Sequence, residues 1–224
     1  MTCVVGLLCD NRVIFGADSA GTREDTLDQH RYRTSKSFTN GPYVFGCAGS
    51  FRMMQIVEHC FEPPEPEWDR LERFMAREFP AALRESLKEH GWLEQLDERD
   101  MATGGELLVS VGGRMFLVQQ DFSAIEPDRD YHAIGCGGPF ALGSLHATAA
   151  LDPPLDAKER VRLALESAQE FSAAVREPFF IEEYDVPKLK VILAPTHIRA
   201  EKEVPQEVKK VRRGPKKKPK QITA

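Results

Sequence analysis

Thr2-Cys3-Val4-Val5-Gly6-Leu7-Leu8-Cys9-Asp10-Asn11-Arg12-Val13-Ile14-Phe15-Gly16-Ala17-Asp18-Ser19 stands directly after Met1 and decides how the chain is read. Two apolar runs rich in β-branched residues flank Asp10-Asn11, a turn pair. Residues 3–9 and 12–17 therefore read as a β-hairpin. A strand that begins at the third residue pins the start of the chain, where most termini fray. Asp18 closes the second run. A carboxylate leaving a buried strand needs either a cationic partner or an Asx-turn.

Outward from this hairpin, residues 21–33 are polar and read as a long loop. Residues 35–39 and 43–48 flank Asn40-Gly41, a strong hairpin signal. The period then changes. Met53, Met54, Ile56, Val57 and Cys60 fall at helical spacing within 50–61, and 68–89 forms a second helical stretch in which Pro80 is expected to kink or split the helix. Residues 106–111 and 114–120 form a third hairpin around Gly112-Gly113, and 131–136 a further strand. Helices are expected over 137–150 and 156–175, the second capped by Asp156. Closing strands are expected over 179–184 and 189–194. Helix pairs alternate with blocks of antiparallel strands, so the fold class is α+β. Two sheets with a helix pair outside each would bury every apolar face.

The chain has 224 residues, 42% hydrophobic and 29% charged, ordinary values for a globular protein. No apolar run approaches the ~20 residues of a membrane span. The start lacks the basic leader and cleavage site of a secretory signal, which points to the cytoplasm. The five cysteines match neither a zinc nor a CxxC pattern, and the six histidines show no metal spacing. No phosphate loop is present, and no cofactor or metal is expected. Residues 201–224 hold nine Lys or Arg against three Glu, a net +6. The rest of the chain then carries −11 to give the total of −5. We read residues 2–198 as one domain and 199–224 as a disordered basic tail. That tail would suit nucleic acid or an acidic partner surface, but no aromatic residue interleaves it for base stacking, so a solvated tail is the favoured reading.

The chemistry centres on Thr2. An N-terminal threonine supplies its hydroxyl as nucleophile and its own α-amine as base. That amine has a pKa of about 7.7–8, close to neutrality. Removal of Met1 would expose it. A buried Asp18–Lys36 pair beside Thr2 would place a positive charge there and lower the pKa of nucleophile and amine. Otherwise Lys36 is a solvated edge lysine. Gly46 and Gly49 stand between strand and helix, where a backbone N–H would serve as oxyanion donor. Otherwise they serve a tight turn.

Thr2-Cys3-Val4-Val5, Gly16-Ala17-Asp18-Ser19, Ser35-Lys36-Ser37-Phe38, Phe45-Gly46-Cys47-Ala48-Gly49-Ser50 and Ala133-Ile134-Gly135-Cys136-Gly137-Gly138-Pro139-Phe140 recur in order and at family spacing. On these segments the chain resembles the proteasome β-subunit family of N-terminal nucleophile hydrolases, in its HslV-like bacterial and phage flavour. The resemblance implies a four-layer αββα sandwich and threonine-type endopeptidase activity. Thr2 would be nucleophile and base, Asp18 and Lys36 the tuning pair, and Gly46 the oxyanion N–H donor. Val44 and Gly21 would contact substrate. It also implies polypeptide substrates, a homo-oligomeric ring and a place for a partner ATPase unfoldase, with no membrane.

The chain departs from the family at three places. Thr34 competes with Lys36 for the lysine position. Cys136 stands where a serine is usual. The Asp and Ser that commonly follow the last long helix are not evident in residues 175–179. Two rival functions follow: an inactive ring scaffold or accessory protein, and a small-molecule amide hydrolase of the same fold.

Overall fold

The computed structural model describes residues 2–23, 26, 28–93 and 104–185. In chain order these form β1 (Val4–Cys9), β2 (Arg12–Asp18), β3 (Ala20–Thr22), β4 (Gln29–Arg31), β5 (Ser37–Asn40), β6 (Tyr43–Gly49), α1 (Phe51–His59), a 3₁₀ turn (Trp68–Arg70), α2 (Leu71–Glu89), β7 (Gly105–Val111), β8 (Arg114–Val118), β9 (Ala124–Ile125), β10 (Tyr131–Ile134), α3 (Gly138–Ala149), α4 (Ala157–Phe171) and β11 (Phe179–Asp185).

The opening hairpin forms as read, with β1 and β2 antiparallel from Val4↔Ala17 to Cys9↔Arg12. β10 joins the outer edge of β1 and β11 that of β2, giving the order β10-β1-β2-β11. A second sheet runs β5-β6-β7-β8-β9. Both sheets are antiparallel throughout.

Strand alternation sorts the apolar residues among three cores. Cys3, Val5 and Leu7 face α3 and α4 and pack with Leu145, Val161 and Leu165. Val4, Val13, Phe15 and Ala17 face the other way and meet Val44, Leu108 and Met115 of the second sheet. That sheet's outer face, with Phe45, Leu107 and Val109, packs against Ile56, Met75, Phe79 and Leu83 of α1 and α2. Gly16 is glycine because α4 lies directly on β2: a Cβ there would stand 2.3 Å from Val161.

Two sequence expectations change, and one strand is added. Residues 21–33 are not a plain loop, because β3 and β4 pair from Ala20↔Arg31 to Thr22↔Gln29. Three-residue strands carry too little alternation to be read. Pro80 does not divide α2, which runs unbroken from Leu71 to Glu89 with Pro80 inside. Proline in a helix interior costs about 3 kcal/mol, and the fully buried Phe79, Leu83 and Leu87 beside it offset that. β9 extends the second sheet, where the sequence carries no strand signal. The expected strand over 189–194 and the 198/199 domain boundary lie outside the described residues. Asp156 caps α4 as read, its Oδ2 accepting from the N–H groups of Lys158 and Glu159 at 2.9 and 3.4 Å. Among the described residues no helix is long and apolar enough to cross a membrane.

Candidate active site

The β1–β2 register brings the start of the chain against the end of β2. Because Val4 pairs with Ala17, Cys3 lies beside Asp18. The Cys3 N–H donates to Asp18 Oδ1 at 2.9 Å, and the Asp18 N–H donates to the Cys3 carbonyl at 3.2 Å. Thr2 is thus held one residue before a doubly bonded anchor, and it is 4% exposed.

Asp18 is fully buried and satisfied on both oxygens. Oδ2 accepts the Ala20 N–H at 3.0 Å, which closes the turn out of β2. Oδ1 also accepts Lys36 Nζ at 2.7 Å, and Lys36 donates as well to the Ala20 carbonyl at 2.7 Å. The two readings of Asp18, Asx-turn and ion pair, are therefore both realised. Lys36 enters just ahead of β5 and is fixed there by the Cys47 N–H donating to its carbonyl at 2.9 Å. Burial holds the Lys36 ammonium below its usual pKa, and Asp18 opposes that shift. Thr34, the rival for this position, is exposed.

The Thr2 carbonyl is received by the turn before α3. The Gly137 N–H donates to it at 3.2 Å and Cys136 Sγ approaches it at 3.4 Å. Gly135 has φ +84, and a Cβ there would stand 2.3 Å from the Thr2 oxygen. Only glycine fits. Glu106 Oε2 accepts the Gly135 N–H at 3.2 Å and ties this turn to β7. Cys136 Sγ also lies 3.7 Å from Ser172 Oγ, at the end of α4.

Thr2 opens onto a cavity of about 220 Å³, bordered by Gly21, Thr22, Arg23, Tyr32, Gly49, Ser50 and Phe51. Tyr32 and Phe51 meet edge to face, ring centroids 5.0 Å apart. A larger cavity of about 530 Å³ lies elsewhere, among Leu117, Tyr131, Leu142 and His146, and contains none of the Thr2, Asp18 and Lys36 group. Its lining carries a polar edge of Asp128, Arg129, Tyr131, His132 and His146, with Tyr131 Oη 3.3 Å from His146 Nδ1.

The fold thus gathers Thr2, Asp18, Lys36, Cys136 and Gly21. It does not bring Gly46 or Val44 to the cavity. Val44 packs between the sheets with Val4 and Phe15. A Cβ on Gly46 would stand 2.7 Å from both of those side chains, so its glycine serves close sheet packing. The Cys47 N–H faces β5, so the neighbouring Gly46 N–H faces β7, where Gly46 pairs with Leu108. Gly49, three residues on, borders the Thr2 cavity instead. Sequence reading passed over Ser172, Glu106, Tyr32 and Phe51. The sequence expectation ran the last helix to 175 and so hid Ser172, which the structure places just past the end of α4 at Phe171.

Cys3 is a poor alternative nucleophile. It is fully buried, and burial pushes its thiol well above the usual range, with the Asp18 charge adding to the effect. No metal-binding group of His, Cys, Asp and Glu occurs among the described residues.

No family model matches the chain. It is 25% identical over 183 residues to the ATP-dependent protease subunit HslV of Chlorobium luteolum, which covers 81% of this chain and 93% of that protein. Thiobacillus denitrificans BPH, solved in complex with epoxomicin, superposes with a TM-score of 0.67 at 23% identity, over 82% of this chain and 98% of that one. HslV of Trypanosoma brucei superposes with a TM-score of 0.57 at 21% identity, over 82% and 99%. The fold is that of the proteasome-type hydrolases. In sequence the chain is similar to HslV, and that similarity supports a protease-type function.

Proposed function

We propose that this chain is a threonine-type endopeptidase whose nucleophile is Thr2 once the Met1–Thr2 bond has been cleaved. The observation that carries this reading is the buried Asp18–Lys36 pair bonded to the N–H that follows Thr2. A fully buried ion pair is costly to assemble, and its place one residue from a candidate nucleophile favours a chemical use.

In this reading the freed α-amine takes the proton of Thr2 Oγ1 as the oxygen attacks a peptide carbonyl. The Lys36 ammonium favours the neutral amine and the developing alkoxide. The Gly49 N–H, in place of Gly46, meets the oxyanion from the cavity wall. The protonated amine then gives its proton to the leaving amine, and water, activated by the same amine, hydrolyses the Thr2 ester. The cavity bounded by Gly21, Tyr32 and Phe51 accepts a substrate side chain next to the scissile bond. The packing of both sheets against helix pairs supports a four-layer αββα sandwich. We also propose, on kinship with HslV, a homo-oligomeric ring in the cytoplasm acting on polypeptides, with an ATPase unfoldase as partner.

Mass spectrometry of the mature protein tests the first requirement. The expected mass lacks Met1, and a retained Met1 locks the Thr2 nitrogen in a peptide bond and leaves the inactive-scaffold reading. A panel of fluorogenic peptides alongside small amides then separates an endopeptidase from a small-molecule amide hydrolase.

A further inference from the structure

The residues on either side of Lys36 are held by a group outside the site described above. Glu182 lies on β11, the edge strand of the first sheet, paired with Phe15. Its Oε2 accepts the hydroxyls of Ser35 at 2.7 Å, Ser37 at 2.8 Å and Tyr184 at 3.0 Å. The two serine hydroxyls lie 3.1 Å apart, and Ser35 Oγ also accepts the Ser37 N–H at 3.2 Å. Ser35 and Ser37 are the residues immediately before and after Lys36. The chain bends at Lys36, just ahead of β5, and the Ser35 Oγ–Ser37 N–H bond closes that bend. Lys36 reaches Asp18 while its two neighbours both reach one carboxylate oxygen of Glu182.

This arrangement joins the sheets at their edges, β11 to the head of β5, at the residue whose ammonium meets Asp18. Hydrogen bonds to a charged acceptor are among the stronger ones, and three on one oxygen leave the Ser35–Ser37 segment little freedom. We propose that Glu182 is a positioning residue: by gripping the hydroxyls on both sides of Lys36 it fixes the Lys36 ammonium against Asp18. Its catalytic consequence rests on the threonine reading given under Proposed function.

The test uses the full chain with Glu182→Ala, Glu182→Gln and Ser35→Ala/Ser37→Ala, read by peptide hydrolysis across pH and by hydrogen–deuterium exchange. Glu182→Ala is expected to lower kcat/KM at neutral pH about tenfold, the scale at which misplacing a supporting group acts. A looser ammonium lowers the Thr2 amine pKa less, so the acid limb of the rate profile moves to higher pH. Exchange speeds up in residues 35–40 and stays unchanged elsewhere. The double serine variant reproduces this, and adding Glu182→Ala to it brings no further loss. Glu182→Gln, which keeps a carbonyl oxygen for the hydroxyls, retains about half the wild-type rate. An unshifted rate profile with unchanged exchange at 35–40 would overturn the proposal, as would losses that multiply in the triple variant. If the wild-type chain hydrolyses no peptide, the threonine reading fails by itself, and the exchange measurement still decides whether Glu182 holds the Lys36 segment.

Discussion

Asp18 grips Cys3 through both of its main-chain polar groups, accepting its N–H at 2.9 Å and donating to its carbonyl at 3.2 Å. The same carboxylate oxygen that takes the N–H takes Lys36 Nζ at 2.7 Å. One side chain thereby fixes where Thr2 sits and where the Lys36 ammonium sits.

If Thr2 supplies the nucleophile, Thr2→Ala loses more than about a thousandfold in peptide turnover and no longer reacts with a threonine-directed epoxyketone. Oligomeric state and circular dichroism stay as in the wild type, because the change removes only a few atoms. Labelling that survives in Thr2→Ala would move the nucleophile to Cys136, the cysteine nearest Thr2 that is exposed.

Removing Lys36 leaves a fully buried carboxylate without its cation. Stranding one partner of a buried pair costs about 3–5 kcal/mol. Lys36→Met is expected to lower the unfolding free energy by that order in urea titrations and to abolish turnover. Asp18→Ala removes in addition the acceptor of the Cys3 and Ala20 N–H groups, so it destabilises more than Lys36→Met. The reverse order would mean that the ion pair outweighs the backbone anchoring.

Gly135 and Gly143 make a matched pair for testing the turn beneath Thr2. A Cβ on Gly135 meets the Thr2 carbonyl oxygen at 2.3 Å on a backbone of φ +84, whereas a Cβ on Gly143, within α3, meets nothing within 4 Å. Gly135→Ala is expected to lower both stability and turnover. Gly143→Ala should raise stability by roughly 0.5–1 kcal/mol through helix propensity and leave turnover unchanged. Melting curves and a peptide assay on both variants check this contrast.

His132 is half-buried on β10, and burial lowers its pKa below the ordinary 6.5, with Glu106 acting against that shift. The unfolded chain then binds more protons than the folded one in the window just below 6.5. Stability rises with pH through that window and falls as the pH drops through it. His132→Gln is expected to flatten this slope in urea titrations taken between about pH 5 and pH 7. A slope unchanged in the variant would assign the acid sensitivity to other groups.

The sequence by itself determined the opening hairpin and both helix pairs and, through the resemblance of its segments to a known family, Thr2, Asp18 and Lys36 as the residues to watch. The hairpin and the helices are signals of local period and turn chemistry, written within one or two neighbouring elements. Only the tertiary structure decided that Gly49 and not Gly46 reaches the Thr2 cavity, and that Val44 is core. It alone decided that Glu106, Ser172 and Glu182 bear on the site from 29 to 147 residues away along the chain. Two glycines three positions apart on one strand look alike in sequence. Which of them borders the Thr2 cavity depends on how one sheet lies over the other, and that is set by the summed packing of side chains from every element.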